Sequence, residues 1–109
     1  MGLNSSLAIG GNTEIGNNGK GIQVYGSSTL RILEAGVSLP GNMTGIDVAS
    51  HSFTGLENVN DSNNSWPGIT VIKDSTVRFR TGNTVSDNGS RGLYCENTES
   101  SFVNEGSSI

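Results

Sequence analysis

His51 and Asp74 are the residues whose types first suggest chemistry. His51 is the only histidine of the chain. An imidazole beside a carboxylate can carry protons near neutral pH. Asp47, Lys73 and Arg78 stand nearby, and Tyr94 adds an aromatic face. Such a set can orient a sugar by hydrogen bonds and stacking, or run acid–base catalysis. The plainer reading is a solvated turn with an incidental ion pair, and a lone histidine favours it.

Whether these side chains meet depends on the elements beneath them. Four segments superimpose without gaps: GIQVYGSSTLRI from Gly21, GIDVASHSFTGL from Gly45, GITVIKDSTVRF from Gly68 and GLYCENTESSFV from Gly92. Their first glycines are 24, 23 and 24 residues apart. A fixed period of this length marks a coiled repeat whose turns bury apolar side chains only against neighbouring turns.

With each glycine as position zero, position one holds Ile22, Ile46, Ile69 and Leu93, and position three holds Val24, Val48, Val71 and Cys95. Mostly polar residues separate them, which predicts a short half-buried strand. A second strand is predicted around positions nine to twelve. Its apolar columns are Leu30, Thr54, Val77 and Ser101, then Ile32, Leu56, Phe79 and Val103, with Phe53 as an inward alternative to Thr54. A weaker third strand is predicted in the residues before each glycine, carried by Val37 and Leu39 in one repeat. The segment NVNDSNNSWPG before Gly68 reads as a loop. His51 and Asp74 both fall at position six, so stacking would place them one rung apart.

Stacked rungs turn equal positions into columns about 4.8 Å apart. The glycine column implies a corner needing positive φ or close backbone approach. Ser28, Ser52 and Ser75 align as a hydroxyl ladder that Glu99 interrupts, and Asn12 and Asn83 share a position suited to an amide ladder. Cys95 takes a valine place and is expected to act as a small buried hydrophobe.

The phrases GNTEIGNNGKGIQVYGSSTLRI and NTVSDNGSRGLYCENTESSFVNEG resemble rungs of the right-handed parallel β-helix, the pectin-lyase-like superfamily. The resemblance spans about residues 6–109. It implies an all-β solenoid of about four to five short rungs forming one domain over 1–109. It is specific for fold and unspecific for activity, since such rungs occur in lyases, hydrolases, epimerases, surface proteins and phage tailspikes. It also implies an extracellular or cell-surface setting, although the start MGLNSSLAIGG shows no signal peptide. The hydrolase-like pattern wants an adjacent aspartate pair, and the sequence has none. The lyase-like pattern wants several acidic calcium ligands on one face, and Asp47 and Asp74 occupy different positions. No metal or cofactor is therefore expected.

Composition narrows the classes further. Gly, Ser, Asn and Thr make up 54 of 109 residues, and apolar residues 32%. That suits a narrow tube of short strands and many turns. A net charge of −4 without a basic stripe argues against nucleic acid, and no apolar run is long enough to span a membrane. The leading expectation is a non-catalytic structural or binding module. It would form homo-oligomers through uncapped solenoid ends or dock partners, with Tyr25, Trp66, Ile72, Lys73 and Tyr94 as binding residues. The alternative is part of a carbohydrate-active lyase or hydrolase working on an acidic polysaccharide, with Asp47, His51, Asp74 and Arg78 at its groove.

Overall fold

The computed structural model of the chain describes residues 2, 4–9, 13–32, 36–96 and 100–109. Among these residues there are thirteen short strands and no helix. The chain visits three sheets in turn, and every strand pairing is parallel. Sheet A stacks β1 (Ser6–Ile9), β4 (Thr29–Ile32), β7 (Phe53–Leu56), β10 (Thr76–Phe79) and β13 (Ser101–Asn104). Sheet B stacks β2 (Thr13–Glu14), β5 (Val37–Ser38), β8 (Val59–Ser62) and β11 (Thr84–Ser86). Sheet C stacks β3 (Lys20–Val24), β6 (Thr44–Val48), β9 (Ile69–Val71) and β12 (Leu93–Cys95). The result is a parallel β-solenoid of about four turns with a period near 24 residues.

Sheet C follows the sequence ladder throughout. Ile22, Ile46, Ile69 and Leu93 stack in one inward column, and Val24, Val48, Val71 and Cys95 in the next. Strand alternation turns these side chains into a single core. Sheet A supplies Leu30, Thr54 and Val77, then Ile32, Leu56 and Phe79, all fully buried. Thr54 points inward and Phe53 outward, where the Arg31 guanidinium lies 5.9 Å from its ring centre. The inward alternative for Phe53 is thus incorrect, and no bulge is needed.

The last rung departs from the ungapped repeat. Ser101 pairs with Thr76, a step of 25 residues, so the register moves by one. Phe102 consequently follows Val77 inward and meets Phe79 edge-on, with ring centres 6.3 Å apart. Val103, expected in the core, pairs with Arg78 on the outer face and is half-exposed.

A second correction concerns sheet B. Residues 59–62, expected as loop, form β8. Val59 and Asp61 point inward, and Asp61 pairs directly with Val85 in the adjacent rung. A carboxyl group therefore occupies an otherwise apolar column.

Polar ladders hold the corners. Backbone N–H groups of Ser5, Ser28, Ser52 and Ser75 donate to the hydroxyls of Ser28, Ser52, Ser75 and Ser100 at 3.1–3.2 Å. The expected serine ladder is present, and it continues through Ser100. A second ladder joins Asn18, Asn42, Asn64 and Asn88: each of the first three donates its backbone N–H to the next side-chain carbonyl at 2.8–3.0 Å. Asn83 likewise accepts from Val59 N–H at 3.0 Å and donates to Leu56 O at 2.9 Å. Asn12, expected in the amide ladder, and Glu99, expected to interrupt the serine ladder, lie outside the described residues. Each ladder pairs buried backbone groups that a corner removes from the sheets.

Close approach accounts for three of the four column glycines, Gly21, Gly45 and Gly68. None of the four has φ in the left-handed region. A Cβ on Gly45 would stand 2.6 Å from Asp61 Cγ and Oδ1, and one on Gly68 2.7 Å from Asp61 Oδ1. Inside the tube the Asp61 carboxyl fills the space these glycines leave open.

Candidate functional site

The outer face of sheet C carries a groove of about 540 Å³. Two neighbouring columns build it. One is Lys20, Thr44, Pro67 and Arg91, each directly before a column glycine; the other contains Asp47, Thr70 and Tyr94. Trp66 and Ile72 close the sides.

Backbone pairing sets the walls. Trp66 lies between β8 and β9, and its N–H donates to Met43 O at 2.8 Å while Ser65 N–H donates to Asn42 O at 2.9 Å. These bonds tie the loop to the preceding rung and leave the indole 59% exposed. Tyr94 projects outward from β12, and Arg91 stacks over its ring at 5.1 Å. This cation–π contact orients both side chains.

The floor is polar and held in place. Asp47 points outward yet is only 5% exposed. Lys20 Nζ donates to its Oδ2 at 2.7 Å, and the Thr70 hydroxyl donates to its Oδ1. Lys20 and Asp47 balance each other. Arg91 makes no ion pair among the described residues, so the groove carries an excess positive charge in a chain of net charge −4. An arrangement of aromatic faces, an aliphatic wall and a fixed polar floor can stack a sugar ring and satisfy its hydroxyls.

Of the predicted site residues, Asp47, Trp66, Ile72 and Tyr94 come together here. His51 and Asp74 do stand in adjacent rungs, with Nε2 and Oδ2 3.3 Å apart, but at the corner between sheets C and A. There the imidazole is 69% exposed. Lys73 shares that corner, and its backbone N–H donates to Glu96 Oε2 at 2.7 Å. Ser50, His51, Lys73 and Asp74 all have φ of 54–62°, so this corner turns through paired left-handed residues. Arg78 lies on sheet A and grips Glu105 through two of its nitrogens, one at 3.1 Å. That pairing holds the Glu105 carboxyl below its ordinary range. Tyr25 packs beside Gly2 in the first rung, away from the groove. The four acid–base candidates thus occupy three separate places.

Lys20, Thr70 and Arg91 are site residues that sequence reasoning did not single out. A signal for two of them existed: Lys20 and Arg91 both immediately precede a column glycine, so stacking places them on one face. No family model, curated protein or solved structure matches this chain.

Proposed function

We propose that the chain is a non-catalytic β-solenoid binding module that takes a carbohydrate in the sheet C groove. The observation that carries this reading is the joining of Trp66, Tyr94 and Ile72 with the fixed Asp47 floor. Each Asp47 oxygen already accepts a hydrogen bond, from Lys20 or Thr70, which suits holding a ligand better than abstracting a proton. The exposed guanidinium of Arg91 favours an acidic sugar over a neutral one.

Calorimetric titration with uronic-acid and neutral oligosaccharides tests the proposal. Binding of the acidic series is expected, weakening with salt as an ionic contact should. Trp66→Ala is expected to weaken it about tenfold or more, the loss typical of a central aromatic contact. Release of reducing or unsaturated sugar by the chain would instead establish the enzymatic alternative. Failure of both series to bind would overturn the proposal.

A second reading is association between copies. Leu7 and Phe102 stand at opposite ends of the inward column of sheet A and are 44% and 47% exposed. A second copy stacked on either edge would cover them and pair the open strand. Light scattering tests this: a defined oligomer that Phe102→Asp dissolves supports it, and a monomer at all concentrations contradicts it.

A further inference from the structure

Two asparagines of the chain precede glycine, Asn18 and Asn88, and both belong to the same amide ladder. We propose that Asn18 is a site of spontaneous deamidation and that the ladder protects Asn88. The reaction begins when the following backbone nitrogen gives its proton to water or hydroxide and attacks the side-chain Cγ. The new N–Cγ bond displaces Nδ2 as ammonia and leaves a succinimide. Water then opens either imide carbonyl, giving aspartate or isoaspartate, and no oxidant or reductant is required. Glycine as the attacking residue presents no Cβ to hinder the approach.

The two sites differ in each requirement. At Asn18 the side chain is exposed, with one hydrogen bond from Nδ2 to Gly16 O at 3.0 Å. Gly19 N–H has no acceptor among the described residues, and a Cβ at Gly19 would meet no atom within 4 Å. The nucleophile and its surroundings are therefore open. At Asn88, Oδ1 accepts from both the backbone and side-chain nitrogens of Asn64 at 3.0 Å, and Nδ2 donates to Asp61 O at 3.2 Å. Gly89 N–H donates to Asn64 O at 2.7 Å, and Gly89 packs on the Ser65 backbone. Attack at Asn88 requires a local opening that breaks these bonds, and the rate falls by the cost of that opening.

The consequence reaches the groove. An isoaspartate at 18 inserts a backbone carbon just before β3, where Lys20 pairs with Thr44 and holds Asp47.

Incubation of the folded chain in mildly alkaline buffer, followed by peptide mass mapping, tests the proposal. The expected result is a gain of about 1 Da, amide exchanged for acid, at Asn18 roughly 10-fold or more faster than at Asn88. In denaturant both sites should react at similar rates. Gly19→Ala should slow the gain at Asn18 and leave Asn88 unchanged. Equal rates at the two sites in the folded chain would overturn the proposal. So would an inert Asn18 in the folded chain when the denatured chain reacts there.

Discussion

Asn64 donates a 2.7 Å hydrogen bond from its side-chain amide to Asp61 Oδ1 inside the solenoid. Asp61 Oδ2 has no partner among the described residues, and the residue is fully buried. Burial raises its pKa from 3.8 to about 8, although the Asn64 bond pulls the other way. The carboxyl is therefore protonated in the folded chain at neutral pH and ionised in the unfolded one. Unfolding releases a proton throughout this window, so stability falls as pH rises from about 4 to 8 and this contribution levels off above 8. The slope is at most about 1.4 kcal/mol per pH unit for one proton. Urea melts across this range should show the decline. Asp61→Asn should flatten it, and an unchanged slope in that variant would assign the effect elsewhere.

Glycine at position 45 is required by the same carboxyl. Gly45→Ala forces a methyl group into Asp61, and the short buried side chain has nowhere to swing. A loss of about 1–3 kcal/mol is expected, the range for overpacking. Gly92→Ala meets no atom nearer than Val85 Cγ1, at 3.4 Å, and should be far milder. In a double-mutant cycle, Asp61→Ala should remove much of the Gly45→Ala penalty, because the two share one contact. Strict additivity would show that the glycine is needed for another reason.

Thr54 occupies the inward column between Leu30 and Val77, and its hydroxyl has no hydrogen-bond partner among the described residues. Thr54→Val keeps the shape and removes the unpaired oxygen. A gain of about 1 kcal/mol in unfolding free energy is expected. Destabilisation by a similar amount would mean that the hydroxyl is satisfied after all.

The sequence made sheet C legible because its glycines and β-branched residues recur in strict register from Gly21 to Cys95. The rest of the fold varies its spacing. The ladder asparagines precede their column glycines by three residues at Asn18 and Asn42 and by four at Asn64 and Asn88, so fixed-position alignment hides them. β8 was hidden by Asp61, a charged-type residue in an inward place that is tolerated because Gly45, Gly68 and Asn64 accommodate it. The last rung departs from the fixed period from Ser101 onward, because a 25-residue step exchanges inward and outward faces there. For the groove, Asp47, Trp66, Ile72 and Tyr94 stood out by type. Lys20 and Arg91 become part of it only when columns three rungs apart are placed on one face.

Trp66 is the only tryptophan of the chain and lies in the groove wall. Its fluorescence therefore reports directly on what enters that groove. Titration with an oligomeric uronic acid should give a saturable change in Trp66 emission. Arg91→Ala should weaken it about tenfold, as loss of a charge-assisted contact would, and Tyr25→Ala should leave it unchanged. No saturable change with the native chain, or a change indifferent to Arg91, would contradict the account of sheet C as a carbohydrate-binding face.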